Sequence, residues 1–325
     1  MKRLKEKKYL IYIVLYAFLF FCVLYKPNYM ITKPGGIDNV KKSYTIDNEN
    51  KIDGSINITY VSSIKPNLIY YWYAKLRHYE ITKINDYAPN GLDNEEKVDT
   101  LLYISSVNNA IYNAYKYAGK DIEIKNEKVY VDYNINEDSD LKDGDLLLEI
   151  NDKKINSYDE ISSMLNEIND DYVKVKYERD NKIKTTKVKL IKTPIRNYLG
   201  VKIIDIFDYE TSPHIDFRIK DDVAGPSGGA MMTLSIYASL LDNDITHGLK
   251  IAGSGTIDRE GNIGPIGGID YKIKSALKSH VDVFFVPKYF NYAEVLDLDI
   301  DLKDMQVIPV ESFEDIIEYL ENLDK

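Results

Sequence analysis

The chain has 325 residues, with 42 Lys and Arg against 52 Asp and Glu, 44% apolar residues and a single Cys. Its length predicts more than one folded domain, and one cysteine excludes a disulfide framework and a Cys-rich zinc site. The apolar share excludes a disordered chain, and the net charge of -10 argues against nucleic acid as a partner. We therefore expect a globular enzyme or binding module that binds no nucleic acid.

The N-terminal segment combines a basic head with an apolar run. Residues 1–8 hold five Lys or Arg and one Glu, and residues 9–25 are seventeen residues without charge, Gly or Pro. A helix of that length is near the short limit for a membrane span. A cleaved signal peptide is the alternative, but Lys26-Pro27-Asn28 offers no small-residue cleavage site. The cations ahead of the run predict a single-pass protein of the cell membrane, with residues 1–8 cytoplasmic and the body extracytoplasmic.

The first part of the body, residues 26–118, mixes strand and helix patterns. Apolar Ile56, Ile58 and Tyr60 alternate with polar residues, which predicts a strand over 54–63. Apolar residues recur at helical spacing over 98–117, which predicts a helix that ends near Gly119. We expect this helix to serve in packing.

Residues 119–193 have the pattern of a small β-rich module. Strands are predicted over 129–133, 146–150, 172–177 and 183–190, with a helix over 157–166. This order, with Leu-Lys-Asp-Gly-Asp at 141–145 ahead of a strand and a helix, resembles the PDZ domain. The resemblance implies that an extended peptide adds as a strand to an exposed sheet edge beside the helix.

The PDZ resemblance leaves two points open. The Gly-Leu-Gly-Phe signature of peptide-binding PDZ domains is absent from the chain, so the loop that would bind a peptide carboxylate is not placed. A PDZ fold that acts only as a spacer or a gate is the alternative to peptide binding.

The segment 223–229, Val-Ala-Gly-Pro-Ser-Gly-Gly, precedes an apolar stretch at 230–241. This order places the hydroxyl of Ser227 at the start of a buried helix, where free backbone N–H groups and the helix dipole favour developing negative charge. Glycines at 228 and 229 leave room for a substrate backbone. Taken alone, a serine at this place is more often an N-cap.

A second segment, 264–272, opens another helix and ends at Lys272. Lys272 lies beside the apolar side of that helix, whereas Lys274 is about 200° further round and faces solvent. An amine beside an apolar seam loses hydration, its pKa falls, and it serves as a neutral base toward a hydroxyl. The residues on the apolar side are Ile269, Ile273, Ala276 and Leu277.

Together the two segments resemble the proteolytic domain of the Lon family, which uses a Ser-Lys dyad. The matching pieces are Gly-Pro-Ser-Gly-Gly at 225–229 and Ile-Gly-Gly at 266–268 followed by Lys272. The resemblance implies that Ser227 is the nucleophile, that Lys272 is the base and that the hydroxyl of Ser254 hydrogen-bonds the lysine. It also implies that Gly225, Gly228 and Gly229 surround the oxyanion and the substrate backbone. Residues 283–287 and 307–323 resemble later strands and the closing helix of that domain.

The expected fold class is α+β or α/β, a Lon proteolytic-domain fold with an inserted PDZ-like β-rich domain after one transmembrane helix. The segments are 1–8 as the basic head, 9–25 as the membrane helix, 26–118 as the N-terminal part of the catalytic domain, 119–193 as the PDZ-like domain and 194–325 as the Ser-Lys catalytic domain. The combination is similar to the membrane-anchored, PDZ-containing (YlbL-like) branch of the Lon peptidases.

Two departures bear on the energy source. Ala224 stands where ATP-dependent Lon proteins carry an acidic residue, and no G-x-x-x-x-G-K-[ST] motif occurs in the chain. We therefore expect no ATP and no other cofactor. The four histidines have no metal-ligand spacing, so no metal site is predicted.

The expected function is ATP-independent serine endopeptidase activity on extracytoplasmic protein or peptide segments, with the PDZ-like domain binding or gating the substrate. A homo-oligomer is left open. The alternative is a catalytically silent, membrane-tethered scaffold that binds peptides.

Overall fold

The computed structural model describes residues 2–88, 91–220 and 223–324, and the side chains of residues 8–88, 91–220 and 223–323. Met1 and the side chains of residues 2–7 of the predicted basic head lie outside that range. The helices are α1 (Lys2–Leu24), α2 (Leu68–Leu76), α3 (Ile84–Tyr87), α4 (Leu92–Tyr117), α5 (Tyr158–Asn166), α6 (Gly229–Leu240), α7 (Ile269–Lys278), α8 (Asn291–Leu296) and α9 (Phe313–Glu321). The strands are β1 (Tyr29–Asn39), β2 (Tyr44–Ile46), β3 (Ser55–Ile64), β4 (Glu80–Lys83), β5 (Asp121–Asn134), β6 (Leu146–Ile150), β7 (Lys153–Lys154), β8 (Tyr172–Arg179), β9 (Lys182–Lys189), β10 (Ile191–Lys192), β11 (Asn197–Tyr198), β12 (Val201–Ser212), β13 (Ile215–Phe217), β14 (Lys250–Gly253), β15 (Thr256–Ile257), β16 (Ile263–Gly264), β17 (Val283–Pro287) and β18 (Gln306–Val310).

The chain divides into two compact units. The first contains Met1–Gly35 and Val61–Leu92, and the second contains Gly36–Tyr60 and Asp93–Lys325. In the first unit, β1 pairs with β4 in an antiparallel register. Helix α2 starts beside the end of the apolar run, because the N–H of Leu68 donates to the carbonyl of Tyr25 at 3.0 Å.

Helix α1 forms over most of the run for which a membrane span is predicted. Its uncharged part rises about 26 Å at 1.5 Å per residue, whereas the hydrocarbon core of a bilayer is about 30 Å thick. Within the residues that the structure describes, no helix combines the length and the apolar character that a membrane crossing requires.

The second unit is built on a parallel sheet with helices on both faces. Strand β14 pairs in parallel with β3 and with β17, and β17 pairs in parallel with β18. Alternate residues of β17 point to opposite faces: Phe285 packs with α4, α6 and α9, and Phe284 packs with α7 and α8. Such two-sided burial explains the continuous apolar run of β17.

The strand and helix predicted for the first part of the body are confirmed. Strand β3 covers 55–64, where 54–63 was expected, and α4 reaches Tyr117 as expected but begins at Leu92, six residues earlier. Acidic residues in the first turn of α4 favour this earlier start because they face the positive end of the helix dipole.

The β-rich module is a second sheet with strand order β12-β5-β6-β8-β9, packed on α5. The strands and the helix predicted over 129–190 are all present. Its apolar core continues beyond residue 193, because Leu199 is buried in it and Val201 and Ile203 pack against it. Strand β12 forms an edge of this sheet. It pairs with β5 in an antiparallel direction, from Val201 opposite Asn134 to Ser212 opposite Asp121.

A buried ion pair supports this module. Two guanidinium nitrogens of Arg179, Nε and Nη2, each donate to the carboxylate of Asp145 at 2.7 Å. The backbone N–H of Lys142 donates to the same carboxylate at 2.7 Å. The Asp145 side chain is 1% exposed. Removal of the arginine therefore leaves a carboxylate that is buried and poorly paired.

We expect Arg179→Ala to lower the free energy of unfolding of the module by about 3 kcal/mol, because breaking a buried pair strands the remaining charge. Lys174→Ala is the matched control. Lys174 lies on β8, the strand that carries Arg179, and forms an exposed ion pair with Asp152 at 2.7 Å. Such exposed pairs contribute below about 1 kcal/mol. Hydrogen exchange of the β8 amides in urea measures both. Equal losses in the two variants would contradict the argument.

Candidate active site

The three polar residues singled out in the sequence meet at the carboxyl end of β14. Ser254 follows the last residue of that strand, Ser227 lies just before α6 on one face of the sheet, and Lys272 lies in α7 on the other face. Open sheets of this kind form their crevices beyond the carboxyl ends of the strands. The topology therefore explains how residues 45 positions apart in sequence reach one place.

Ser254 bridges the other two residues. The amine Nζ of Lys272 donates to Ser254 Oγ at 2.9 Å, and that hydroxyl donates to the backbone carbonyl of Ser227 at 2.9 Å. The N–H of Gly255 donates to the same carbonyl at 2.9 Å. No direct hydrogen bond between Ser227 Oγ and Lys272 Nζ occurs in the part of the chain that is described. The amine is thus held two hydrogen bonds from the backbone of Ser227.

Lys272 is a buried lysine that pairs with no carboxylate among the described residues. Its residue is 2% exposed, and burial lowers the pKa of its amine from 10.5 to about 8. Desolvation has this direction because it disfavours the charged form. Lys274, two positions on, is exposed and pairs with Asp270 at 3.2 Å. The predicted contrast between the two lysines is therefore confirmed.

The glycines around Ser227 have different surroundings. The N–H of Gly225 donates to the carbonyl of Asp99 at 3.0 Å, and that of Gly229 donates to the carbonyl of Pro226 at 3.2 Å. The N–H of Gly228 has no acceptor within the described residues, so it is available to a substrate oxygen. A Cβ on Gly229 would lie 2.7 Å from Ser106 Oγ, which makes close packing the reason for glycine there.

A small cleft of about 50 Å³ lies beside Ser227. Apolar side chains form much of its wall, and an ion pair between Lys220 and Asp38 at 2.8 Å lies in the lining. The apolar members of the wall are Val40, Ile58, Tyr60, Tyr103, Phe217, Val223 and Met232.

Helix α4 holds the Ser227 loop, a role that the sequence did not indicate. Ser106 Oγ donates to the carbonyl of Pro226 at 3.0 Å, and the carbonyl of Asp99 accepts the N–H of Gly225. Ser106 lies 120 positions before Pro226, and Asp99 lies 126 positions before Gly225. No local motif marks them, because the contact depends on the packing of α4 against α6.

The β-rich module has a groove of about 530 Å³ between α5 and the start of β12. Ile161, Leu165, Val201 and Ile203 line it. The sequence did not place a carboxylate-binding loop, and the structure shows a candidate at 197–200, where the groove begins. Tyr-Leu-Gly-Val at 198–201 has the Leu-Gly-apolar order of the PDZ signature, which was the available signal.

The candidate loop has the conformation of an anion-binding turn. Gly200 has a φ of +74°, and a Cβ there would lie 2.8 Å from Asn136 Cβ, so glycine is required. The N–H groups of Leu199 and Gly200 find no acceptor among the residues described. Arg196 also lines the groove. Successive free amides in such turns bind carboxylates.

No cluster of three or more His, Cys, Asp or Glu side chains suited to a metal ion occurs in residues 2–88, 91–220 and 223–324. The groups at the carboxyl end of β14 are the hydroxyl of Ser254, the amine of Lys272 and the backbone of Ser227 and Gly255.

The depressed pKa of Lys272 is directly measurable. In protein labelled with ¹³C at lysine Cε, we expect one lysine resonance to titrate with a midpoint near 8 and to be missing from Lys272→Met. The reason is that burial disfavours the ammonium form. A Lys272 resonance that titrates above 10 would contradict the burial on which the site depends.

Comparison with known proteins agrees with this geometry. Residues 219–322 match the Lon protease (S16) C-terminal proteolytic domain, and residues 105–190 match the PDZ domain. The Lon protease of Campylobacter jejuni is 27% identical over 40% of this chain and 16% of its own length. That of Metamycoplasma arthritidis is 33% identical over 35% of this chain and 14% of its own length.

A solved structure, the PDZ domain of an SdrC-like protein from Listeria monocytogenes, is 25% identical over 23% of this chain and 85% of its own, with a TM-score of 0.22. The chain spans less than a fifth of the length of the Lon proteases it matches. Residues 219–322 are thus similar to the proteolytic domain of Lon proteases, and residues 105–190 are similar to the PDZ domain.

Proposed function

We propose that the protein is an ATP-independent endopeptidase in which Ser227 and Lys272 act as a dyad. The observation that carries the proposal is the bridge through Ser254. It connects a buried amine of lowered pKa to the backbone carbonyl of Ser227, just before α6. A neutral amine is a suitable base for a serine hydroxyl, and desolvation is a recognised way to obtain one.

In the proposed reaction the neutral amine of Lys272 accepts the proton of Ser227 Oγ as that oxygen attacks a peptide carbonyl. Ser254 orients the amine, and the N–H of Gly228, just before α6, stabilises the oxyanion. The C–N bond then breaks and the ammonium of Lys272 returns the proton to the leaving amine. Water hydrolyses the resulting ester by the same route, with Lys272 again as base.

Cleavage depends on both dyad members. We expect Ser227→Ala and Lys272→Arg each to lower kcat/KM for casein-derived peptides by about 10³-fold or more. The alanine variant lacks the attacking hydroxyl, and the arginine variant lacks a neutral base because an arginine does not give up its proton near neutral pH. Lys274→Arg is the matched control and keeps full activity, since Lys274 is exposed. Wild-type cleavage in Ser227→Ala would refute the dyad, whereas absence of cleavage by the wild-type protein would leave the silent peptide-binding scaffold.

The pH profile follows from the same amine. Because the neutral form is the base, kcat/KM rises with pH and levels off above a midpoint near 8. A rate that is constant from pH 6 to pH 9 is incompatible with Lys272 as base.

We also propose that α1 anchors the chain in the cell membrane, with the catalytic body outside. Every large apolar side chain from Tyr9 to Leu24 except Cys22 is exposed, and contiguous apolar surface of this kind marks membrane or protein contact. The first residue of helix α2 lies in space beside Tyr25, the last residue of the apolar run. This helix exposes Trp72 and Tyr73, and these residue types favour the membrane interface. Local thinning of the bilayer accommodates a span a few ångströms short.

Insertion of charge into α1 tests the anchor. We expect the full chain to stay with the membrane fraction after carbonate extraction and Ile13→Lys/Phe20→Lys to be released, because each lysine at the bilayer centre costs about 3 kcal/mol. The matched control is Ile183→Lys/Ile195→Lys, which places the same charges at exposed apolar residues outside α1. Release of the wild-type chain by carbonate would contradict the proposal.

A further inference from the structure

The groove of the β-rich module has an open sheet edge along one side. Strand β12 ends the strand order of that sheet, so the edge of residues 201–206 opposite α5 is unpaired among the residues described. An extended peptide adds to such an edge by main-chain hydrogen bonds. The free amides of Leu199 and Gly200 lie at the start of β12, so a terminal carboxylate at that point fixes the peptide antiparallel to the strand.

A second cleft continues from the groove. It is about 220 Å³ in size and shares Tyr158, Lys202 and Ile203 with the groove. Ser106 and Pro226 also line it, and Pro226 immediately precedes Ser227. A peptide that leaves the groove along β12 therefore enters a cleft whose lining includes the residue next to the candidate nucleophile.

The structure turns such a peptide away from β12 at Phe207. A β-bulge lies between Ile206 and Asp208, and the N–H of Phe207 donates to Asn108 Oδ1 of α4 at 3.0 Å. The sheet edge is therefore closed beyond Ile206, and α4 forms the next wall of the path.

A buried acceptor lies in the second cleft without a partner. Asn109 is 6% exposed and lines the cleft, and its Oδ1 accepts no hydrogen bond from any residue in the described part of the chain. A buried polar atom left unpaired costs free energy. The N–H of a bound peptide backbone is a donor of the type that this atom lacks.

The charge of the second cleft selects among peptides. Its lining holds four acidic side chains against Lys202 and Arg259. Lys202 pairs with Asp132 at 2.8 Å, and Arg259 pairs with Asp205 at 2.5 Å. The remaining acidic residues of the lining, Asp258 and Glu260, are exposed, so a basic side chain of the peptide fits here.

We propose that the groove and the active site bind one polypeptide, held by its C-terminal carboxylate at 199–200 and passed through the second cleft to Ser227. The substrate class is proteins with an extended C-terminal tail that carries a basic residue between the carboxylate and the scissile bond. An extended chain advances about 3.3 Å per residue, so a polypeptide held by its carboxylate at 199–200 is cleaved at one fixed number of residues before its C terminus. This inference rests on the proposed peptidase activity.

A peptide pool tests the register of cleavage. Mixed-sequence peptides derived from a casein digest are prepared with free C-terminal carboxylates and with C-terminal amides, and the cleavage positions are mapped by mass spectrometry. We expect cleavages of the free-carboxylate pool to concentrate at one distance from the C terminus, and amidation to reduce that class about tenfold or more. Cleavage positions independent of distance from the C terminus in both pools would overturn the inference while leaving the peptidase intact.

A bulky residue in the groove provides the matched protein variants. Ser162 is exposed on α5 and lines the groove, whereas Ser163 is exposed on the same helix outside it. We expect Ser162→Trp to abolish the concentration of cleavages near the C terminus and Ser163→Trp to retain it. Loss in both variants, or in neither, contradicts occupation of the groove by the substrate.

A binding experiment decides the inference if no pool is cleaved. Ser227→Ala protein is mixed with free-carboxylate peptides of about fifteen residues that carry one photoreactive residue at successive positions. We expect crosslinks to move from α5 to residues 256–260 and then to 225–228 as the photoreactive residue moves away from the C terminus. Crosslinks confined to α5 at every position would overturn the inference, and absence of cleavage with the expected crosslinks would refute only the peptidase.

Discussion

The site depends on one costly interaction, the burial of the Lys272 amine. A lysine without a carboxylate partner in the protein interior is unfavourable in its charged form, and the acceptor that the described surroundings provide is the neutral hydroxyl Ser254 Oγ at 2.9 Å. That hydroxyl in turn needs an acceptor and finds it in the carbonyl of Ser227. The buried amine therefore constrains three segments at once: the end of β14, the turn before α6 and the first turns of α7.

Small residues make this arrangement possible. A Cβ on Gly253 would lie 2.7 Å from the carbonyl oxygen of Phe285 and 2.9 Å from Met231 Sδ, so only glycine lets β14 pass between β17 and α6 at this distance. Gly229 likewise lets α6 approach Ile257 and Ser106. Burial of the Lys272 amine lowers its pKa to about 8.

Local patterns predicted much of the fold and the central residues of the site. Alternation identified β3, the resemblance to the Lon proteolytic domain indicated β17, and helical spacing identified α4 and α7. The contrast between Lys272 and Lys274 followed from their positions around one helix. The sequence did not indicate the role of Ser106, because its contact with the Ser227 loop depends on how α4 packs. The sequence also did not assign residues 197–200 to the groove. This loop comes after the other strands of the sheet in the chain, yet it leads into β12, which forms the edge of that sheet.

The pairing of β5 with β12 has a consequence for the origin and the engineering of the chain. One end of this ribbon packs through Ile122 and Tyr209 into the core beneath α4, and the other packs through Val129 and Val131 into the core beneath α5. The inserted module thus leaves and re-enters its host through two neighbouring strands, and the gap to be closed is about 5 Å. A short hairpin turn joining these strands would excise the module and leave the host without a loose end.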